Sequence, residues 1–414
     1  MRVAVVGAGI SGHTVAHALQ GVHEVTVFEA ADYAGGHTNT IAVDGPEGPL
    51  EVDTGFIVFN DHNYPNFERL LERIGVASQP SNMSFGVSDG TGRFEYAANG
   101  INGLYAVRRH LLTPWFQRMV VEVPRFQRAC RALLASPDAG PSLRDWLAAE
   151  RFSDAFIERL IVPQVAAVWS ADPAQLSSFP ARFLAEFFNN HGMLSLRDRP
   201  QWRVIAGGSQ QYVKALIAPF RDRIRLNSPV ESISRDQAGV TVKARGAEAE
   251  RFDQVVIATH ADQALAMLSD ASDAEREILG AFPYQPNEAV LHTDTRVMPR
   301  RRRAWASWNY HLPEGAGRSS MVTYHMNRLQ TLQTSKDYLV TLNMTSAIEE
   351  AKVIDKISYA HPVYSAAGVR AQARYEEIGG RHRTHFAGAY WGWGFHEDGV
   401  VSGLRVAKAL GGQL

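Results

Sequence analysis

The residues best placed to do chemistry open the chain. Gly7-Ala-Gly9-Ile-Ser11-Gly12 follows the apolar run Arg2 to Val6, and Glu29 stands about 20 residues past the first glycine. Gly7 permits a tight turn, Gly9 lets a pyrophosphate approach the backbone, and Gly12 permits close helix–strand packing. The helix that starts beside Ser11 supplies amide donors and the positive end of its dipole. Glu29 is suited to accept hydrogen bonds from ribose hydroxyls and to repel a 2′-phosphate, so NADP does not suit this site. A bare glycine triplet is often an ordinary turn; strand, triplet, helix, strand and acid in that order are a dinucleotide fingerprint. The opening alone leaves NAD and FAD both open.

A second set of reactive or shielding residues lies near the C-terminus, in Tyr390-Trp391-Gly-Trp393-Gly-Phe395-His396. Rigid aromatic walls dry a site and favour hydride transfer over side reactions. Trp391, Trp393 and His396 are therefore candidate catalytic residues, and ordinary core packing is the plain alternative. His292 closes the strand-like run Glu288 to His292. A neutral histidine there can hold water or relay a proton, although a lone strand histidine is more often structural. His191 and His325 are weaker candidates on the same logic.

These residues need elements to position them. Arg2 to Val6 reads as a buried parallel strand, His13 to Gln20 as a helix and Glu24 to Phe28 as a second strand. Asn227 to Ile233, Gly239 to Val242 and Phe252 to Thr259 read as three more strands. His385-Phe-Ala-Gly388, then Gly399-Val400-Val-Ser402-Gly403, reads as a closing strand and helix.

Two further motifs, Gly35-Gly36-His37-Thr38 and Val52-Asp53-Thr54-Gly55, complete an order that resembles the amine oxidase and phytoene desaturase branch of FAD enzymes. The resemblance spans both ends and the middle of the chain. It implies FAD as cofactor, with the double glycine beside the pyrophosphate and flavin, and Val230 meeting the adenine through its backbone. It also implies that amides at Gly399 and Val400 face the flavin pyrimidine carbonyl. Gly55 and Gly388 fall at matching cofactor positions. Three departures stand out. His37 replaces the usual arginine, Ala389 replaces the usual acid (with Glu397 or Asp398 as substitutes), and the lysine common near the flavin is missing, with His292 at the nearest equivalent strand.

The implied fold class is α/β: a discontinuous Rossmann-like FAD-binding domain of glutathione reductase type, with an inserted α+β substrate domain. The cofactor domain is expected at 1–60, 200–265 and 370–414. A helical substrate or lid insertion is expected at 61–199, and a substrate domain with a β-sheet at 266–369. Within the first insertion, Gly103 to Leu134 has helical patterning, and Leu104 to Leu134 is predicted to be a basic, aromatic amphipathic helix. Such a helix fits a peripheral contact at the inner membrane face or a solvated surface over a core.

The 414-residue chain has a net charge of −1, which argues against nucleic-acid binding, and one cysteine, Cys130, which rules out dithiol redox chemistry. No metal site is suggested. No apolar run approaches the roughly 20 residues that span a bilayer, and a cytoplasmic location is expected. The absence of a second dinucleotide motif sends electrons to oxygen or an unidentified acceptor. The leading expectation is hydride abstraction from an apolar substrate, best a lipid or fatty-acyl chain that is oxidised or desaturated. Short bacterial members with Gly-Gly-His-Thr-Asn-Thr and Gly-Phe-His-Glu-Asp-Gly look like proteins linked to modified fatty-acid metabolism. The alternatives are an amine oxidase releasing peroxide, a non-redox flavin isomerase or mutase, and a flavin-binding scaffold without turnover.

Overall fold

The structure is a computed structural model describing residues 1–136, 140–169, 179–194, 200–312 and 320–414. Its cofactor half is organised by a five-stranded parallel sheet in the order Ile224–Arg225, Glu24–Phe28, Arg2–Val6, Gln254–Ile257, Thr384–Phe386. Strand periodicity gives this sheet two buried faces. Val3, Val5, Val25, Val27 and Val256 turn toward the helices Ile10–Leu19 and His396–Ala409. Ala4, Val6, Phe28, Val255 and Ile257 turn toward an antiparallel sheet of Val230–Asp236, Gly239–Ala244 and Glu250–Phe252. Burial on both faces explains why these strands read as continuous apolar runs rather than alternating ones.

The C-terminal helix crosses the opening helix at two glycines. A Cβ on Gly403 would stand 2.8 Å from the Ser11 carbonyl oxygen and 2.9 Å from Thr14 Cβ. One on Gly399 would meet Ile10 at 2.7 Å. The first and last segments of the cofactor half are thus joined by backbone contact.

The other half is built on a seven-stranded sheet. Its order is Val353–Pro362, Tyr284–His292, Leu339–Leu342, Val322–His325, Trp308–His311, Phe85–Ser88, Glu95–Ala97. The last two strands come from the stretch expected to be a helical insertion, and Phe85–Ser88 pairs parallel to Trp308–His311. The two insertions therefore share one sheet. Trp202–Ile205 also pairs with Phe59–Asn60 and Ser78–Pro80, tying that stretch to the cofactor segments on either side.

The long helix predicted over Gly103 to Leu134 is broken. Ile101–Leu104 forms one helical turn, Arg108–Leu112 a 3₁₀ turn, and the continuous helix runs over Pro114–Ala135. Pro114 sets the start: it lacks an amide hydrogen and suits the first helical position, while Thr113 before it is extended. No helix among the described residues is long and apolar enough to cross a membrane.

Gly403→Leu tests the helix crossing. Its side chain has to part the two helices, so the thermal midpoint is expected to fall with a cost of about 3 kcal/mol, read by calorimetry.

Candidate functional site

A cavity of about 1610 Å³ runs between the two halves. Ligand pockets usually measure about 300–1,000 Å³, so this one has room for a cofactor and a second molecule. The cofactor end is built from the opening turn. Gly9, Ile10 and Ser11 line the cavity, and the helix Ile10–Leu19 has no side-chain cap at its N-terminus. The three glycines divide their roles as expected from the fingerprint. A Cβ on Gly7, where φ is +104°, would meet the Ala258 carbonyl oxygen at 2.8 Å, and one on Gly12 would lie 2.0 Å from the Gly7 carbonyl oxygen. A Cβ on Gly9 would meet nothing within 4 Å, because it would project into the open cavity.

The double glycine closes over this turn. Gly35 donates its amide to the Ala8 carbonyl at 2.8 Å. Gly36 has φ +59°, and a Cβ there would lie 3.2 Å from Gly9 Cα. Glu29 lines the same end and accepts from the amides of Ala8 (2.7 Å) and Ala31 (2.9 Å). Those bonds fix the carboxylate and leave each oxygen a further lone pair for a ribose hydroxyl. Val230 lines the cavity beside Ser228 and Pro229, and Gly55 and Gly388 line it from the other segments. This cradle fits an adenine dinucleotide.

Five expected positions have other roles. Thr38 is fully buried, with its hydroxyl 2.6 Å from Tyr212 Oη and 3.0 Å from His396 Nε2. Gly399 is a helix-crossing residue, and Val400 is core. The C-terminal helix begins at His396, so the Gly399 amide already donates to the Phe395 carbonyl; the amides nearest the cavity are one turn earlier. Trp391 packs against Phe282, Tyr375 and Tyr390 rather than into the cavity. Trp393 stacks toward Phe183, while its carbonyl accepts from the Trp169 indole at 3.1 Å.

His292 is the clearest correction. Tyr284 and Pro286 of its strand line the cavity, but six further residues carry the chain roughly 20 Å away. There His292 is buried, 2.7 Å from the Thr341 hydroxyl and accepting from the Asp294 amide. Neither substitute acid reaches the site. Glu397 accepts from the amides of Asn66 and Phe67, and Asp398 from the Phe395 amide. Burial pushes Asp398 up to about 7.

His396 does line the cavity. It stacks on Phe56 with ring centres 3.5 Å apart, and its Nε2 is 2.7 Å from Tyr212 Oη. Burial holds it well below the ordinary histidine range, so it is a neutral, pinned ring. His37 also lines the cavity and stands in an unanticipated cluster. Its ring is 5.0 Å from Tyr359, 5.4 Å from His361 and 5.9 Å from His260. Burial lowers His37 and His260 to about 4 and His361 to about 3. The position held by arginine in the resembling enzymes is therefore uncharged. His260 stands three residues past the strand Gln254–Ile257 as the cap of the helix Ala261–Met267, and its place after the returning strand is the one sequence signal for this cluster.

Asp53 of the apolar-Asp-x-Gly motif lies behind the cavity. It accepts from the Ser209 amide (2.8 Å), the Thr40 hydroxyl (2.6 Å) and the Gln330 amide group (3.0 Å), stitching three segments together.

The second end of the cavity is a chamber walled by Met83, Phe85, Val123, Phe156, Leu160 and Phe187, among others. A π-helical stretch, Ile157–Ile161, turns Leu160 and Ile161 into it. Among the described residues, the only acids lining the whole cavity are Glu29 and Glu231, both at the adenine end, and no lysine or arginine lines it. His191 lies in the chamber. Its Nδ1 is 2.9 Å from the Phe187 carbonyl, which assigns the proton to Nδ1 and leaves Nε2 as an acceptor.

Comparison with known proteins places this geometry among flavoenzymes. The family model described as flavin containing amine oxidoreductase matches residues 10–411. A Mycobacterium tuberculosis protein provisionally named flavin-containing monoamine oxidase AofH is 27% identical over 267 residues, which are 60% of this chain and 54% of that protein. The chain thus spans about half the length of the curated relatives it matches. In fold it resembles cyclohexylamine oxidase from Brevibacterium oxydans (TM-score 0.69, 19% identity, 99% of this chain and 98% of that one). It resembles a CLA-producing fatty acid isomerase from P. acnes equally well (TM-score 0.69, 16% identity, 99% and 97%).

Two outcomes test the site. Gly9→Val fills the opening left for the pyrophosphate, so the purified protein is expected to be folded by circular dichroism and colourless at 450 nm. The buried neutral histidines bind protons more readily when unfolded, so their stabilising contribution is complete above about pH 6.5 and is lost as pH falls toward 4. Thermal melts across that window should fall for the native chain and less steeply for His37→Asn/His361→Asn.

Proposed function

The chain belongs to the flavin-containing amine oxidoreductase family, and from that premise we propose that it is an FAD-dependent oxidoreductase whose substrate is neutral, long and apolar, best a lipid acyl chain. The observation that carries this reading is the chamber. Its walls are mostly aliphatic and aromatic, with Gln127, Gln164 and His191 as neutral polar groups, and the only acids among the described lining residues stand at the adenine end. A charged amine there would be desolvated without a carboxylate to offset the cost, whereas methylene groups gain from the same burial.

FAD bound in the cradle would supply two-electron acceptor chemistry. The glycine turn, Gly36 and Glu29 hold its dinucleotide part, and the uncapped helix end offsets pyrophosphate charge without an arginine. Phe56 and His396 wall the site as a rigid stacked pair. The aromatic chamber excludes water and aligns the chain. Desaturation removes a hydride from one carbon and a proton from its neighbour, leaving a C=C bond. His191 Nε2 is the unprotonated acceptor on the chamber side for that proton, and its ring stands 5.6 Å from that of Phe395 at the start of the C-terminal helix. Burial lowers His191 to about 4, so it remains an acceptor at neutral pH. Oxygen, reduced to peroxide, or another two-electron acceptor would balance the two electrons removed from the substrate.

Oxidation of a neutral amine is the second reading, favoured by the names of the relatives and of cyclohexylamine oxidase. The fold does not choose between the two, since it also serves a fatty acid isomerase.

Anaerobic mixing of the yellow protein with acyl lipids and with amines separates the readings by flavin bleaching at 450 nm. Bleaching by acyl lipid alone is expected; bleaching by amines alone overturns the proposal. His191→Asn is expected to slow bleaching at least about 100-fold while leaving flavin content unchanged.

A further inference from the structure

We propose that the edge formed by Ile101–Leu104, Arg108–Leu112 and the outer side of Pro114–Ala135 docks onto an anionic lipid bilayer and sets the cavity mouth against it. Among the described residues, five of the ten exposed large apolar side chains fall within 101–121. Leu112 is 90% exposed, Ile101 78% and Val121 66%, with Leu111 and Trp115 beside them in sequence. Single exposed apolar residues are ordinary surface; a concentration of this kind at one edge marks an interaction site.

The charges around the patch point to the occupant. The chain carries no acid from Ala98 to Val121, while it carries Arg108, Arg109 and Arg118. Folding adds cations from distant stretches. Arg109 donates to the Arg93 carbonyl, Arg303 to the Ala106 carbonyl, and the Arg159 guanidinium lies 5.1 Å from the centre of the Trp115 ring. The run Pro299 to Arg303, which reads in sequence as a solvated turn, thus borders the patch. Apolar side chains surrounded by arginines match a bilayer interface, where acyl chains lie beneath anionic headgroups.

The patch is also continuous with the cavity. Ala98 and Pro124 are exposed and line the cavity, and each stands three residues from an exposed apolar side chain, Ile101 and Val121. Met119, Val120 and Val123 of the same helix line the interior. A bilayer on this edge would meet the mouth directly. Docking stands on the surface itself; its use in delivering acyl chains rests on the substrate reading above.

The test is flotation of the flavin-loaded protein with vesicles of phosphatidylglycerol and phosphatidylethanolamine, against vesicles of phosphatidylcholine alone. Binding is expected to the anionic vesicles and to weaken in high salt. Leu111→Glu/Leu112→Glu and Arg108→Glu/Arg109→Glu are each expected to reduce it about tenfold or more. Neither pair lines the cavity, so flavin content and bleaching by a short, water-soluble acyl substrate stay unchanged. No flotation with anionic vesicles, or flotation untouched by the leucine pair, overturns the proposal. So does self-association abolished by the leucine pair without flotation, which would make a second copy the occupant. Flotation by a protein that no acyl substrate bleaches supports docking and sinks the substrate reading alone.

Discussion

Every distance in the cavity is referred to the amide end of the helix Ile10–Leu19, and that end is held by backbone packed on backbone. Gly12 abuts the Gly7 carbonyl, Gly7 abuts Ala258, Gly36 lies over Gly9, and Gly403 lies on the Ser11 carbonyl. At each of these contacts a side chain would force the segments apart. Gly9 alone faces open space, so the constraint that closes the turn on all other sides leaves a single direction for an anion to approach. The helix dipole and free amides then act where the packing has aimed them.

This arrangement dispenses with fixed positive charge. The histidine cluster around His37 is neutral because burial disfavours its charged form and because its members would repel one another if protonated. No lysine or arginine among the described residues lines the cavity. Neutral rings serve better here as walls. They leave the described lining uncharged from the histidine cluster to the chamber, and that continuity, rather than any one catalytic group, favours a neutral substrate.

The parts legible in the sequence are those that depend on neighbours along the chain. The glycine turn, Glu29 and the double glycine have local geometries that their residue types dictate, and the structure places them together. What escaped reading is tertiary. His260 caps the helix Ala261–Met267 and His361 lies on the strand Val353–Pro362, about a hundred residues further on, and both border His37. His292 looked equivalent to a lysine position by counting along a strand, but a strand advances about 3.3 Å per residue and soon leaves a site it began in. Gly399 and Val400 were misplaced by one turn, because the helix starts at His396 and the amides that face outward belong to its first turn. The shared seven-stranded sheet was hidden for a similar reason: Phe85–Ser88 is too short to announce itself among helices and is stabilised by Trp308–His311, far along the chain.

The half built on the seven-stranded sheet shows how a helix can serve two environments. Pro114–Ala135 buries Phe116, Phe126 and Cys130, turns Val120 and Val123 to the chamber, and leaves Trp115, Arg118 and Val121 outside. Its hydrophobic pattern is therefore broader than a single core-facing stripe requires. One apolar face is accounted for by the core, a second by the chamber. The outer residues satisfy neither, and they stand beside Ala98 and Pro124, which line the cavity. On the proposed reading, an apolar edge suited to a bilayer would be the physical counterpart of an interior walled mostly by apolar side chains.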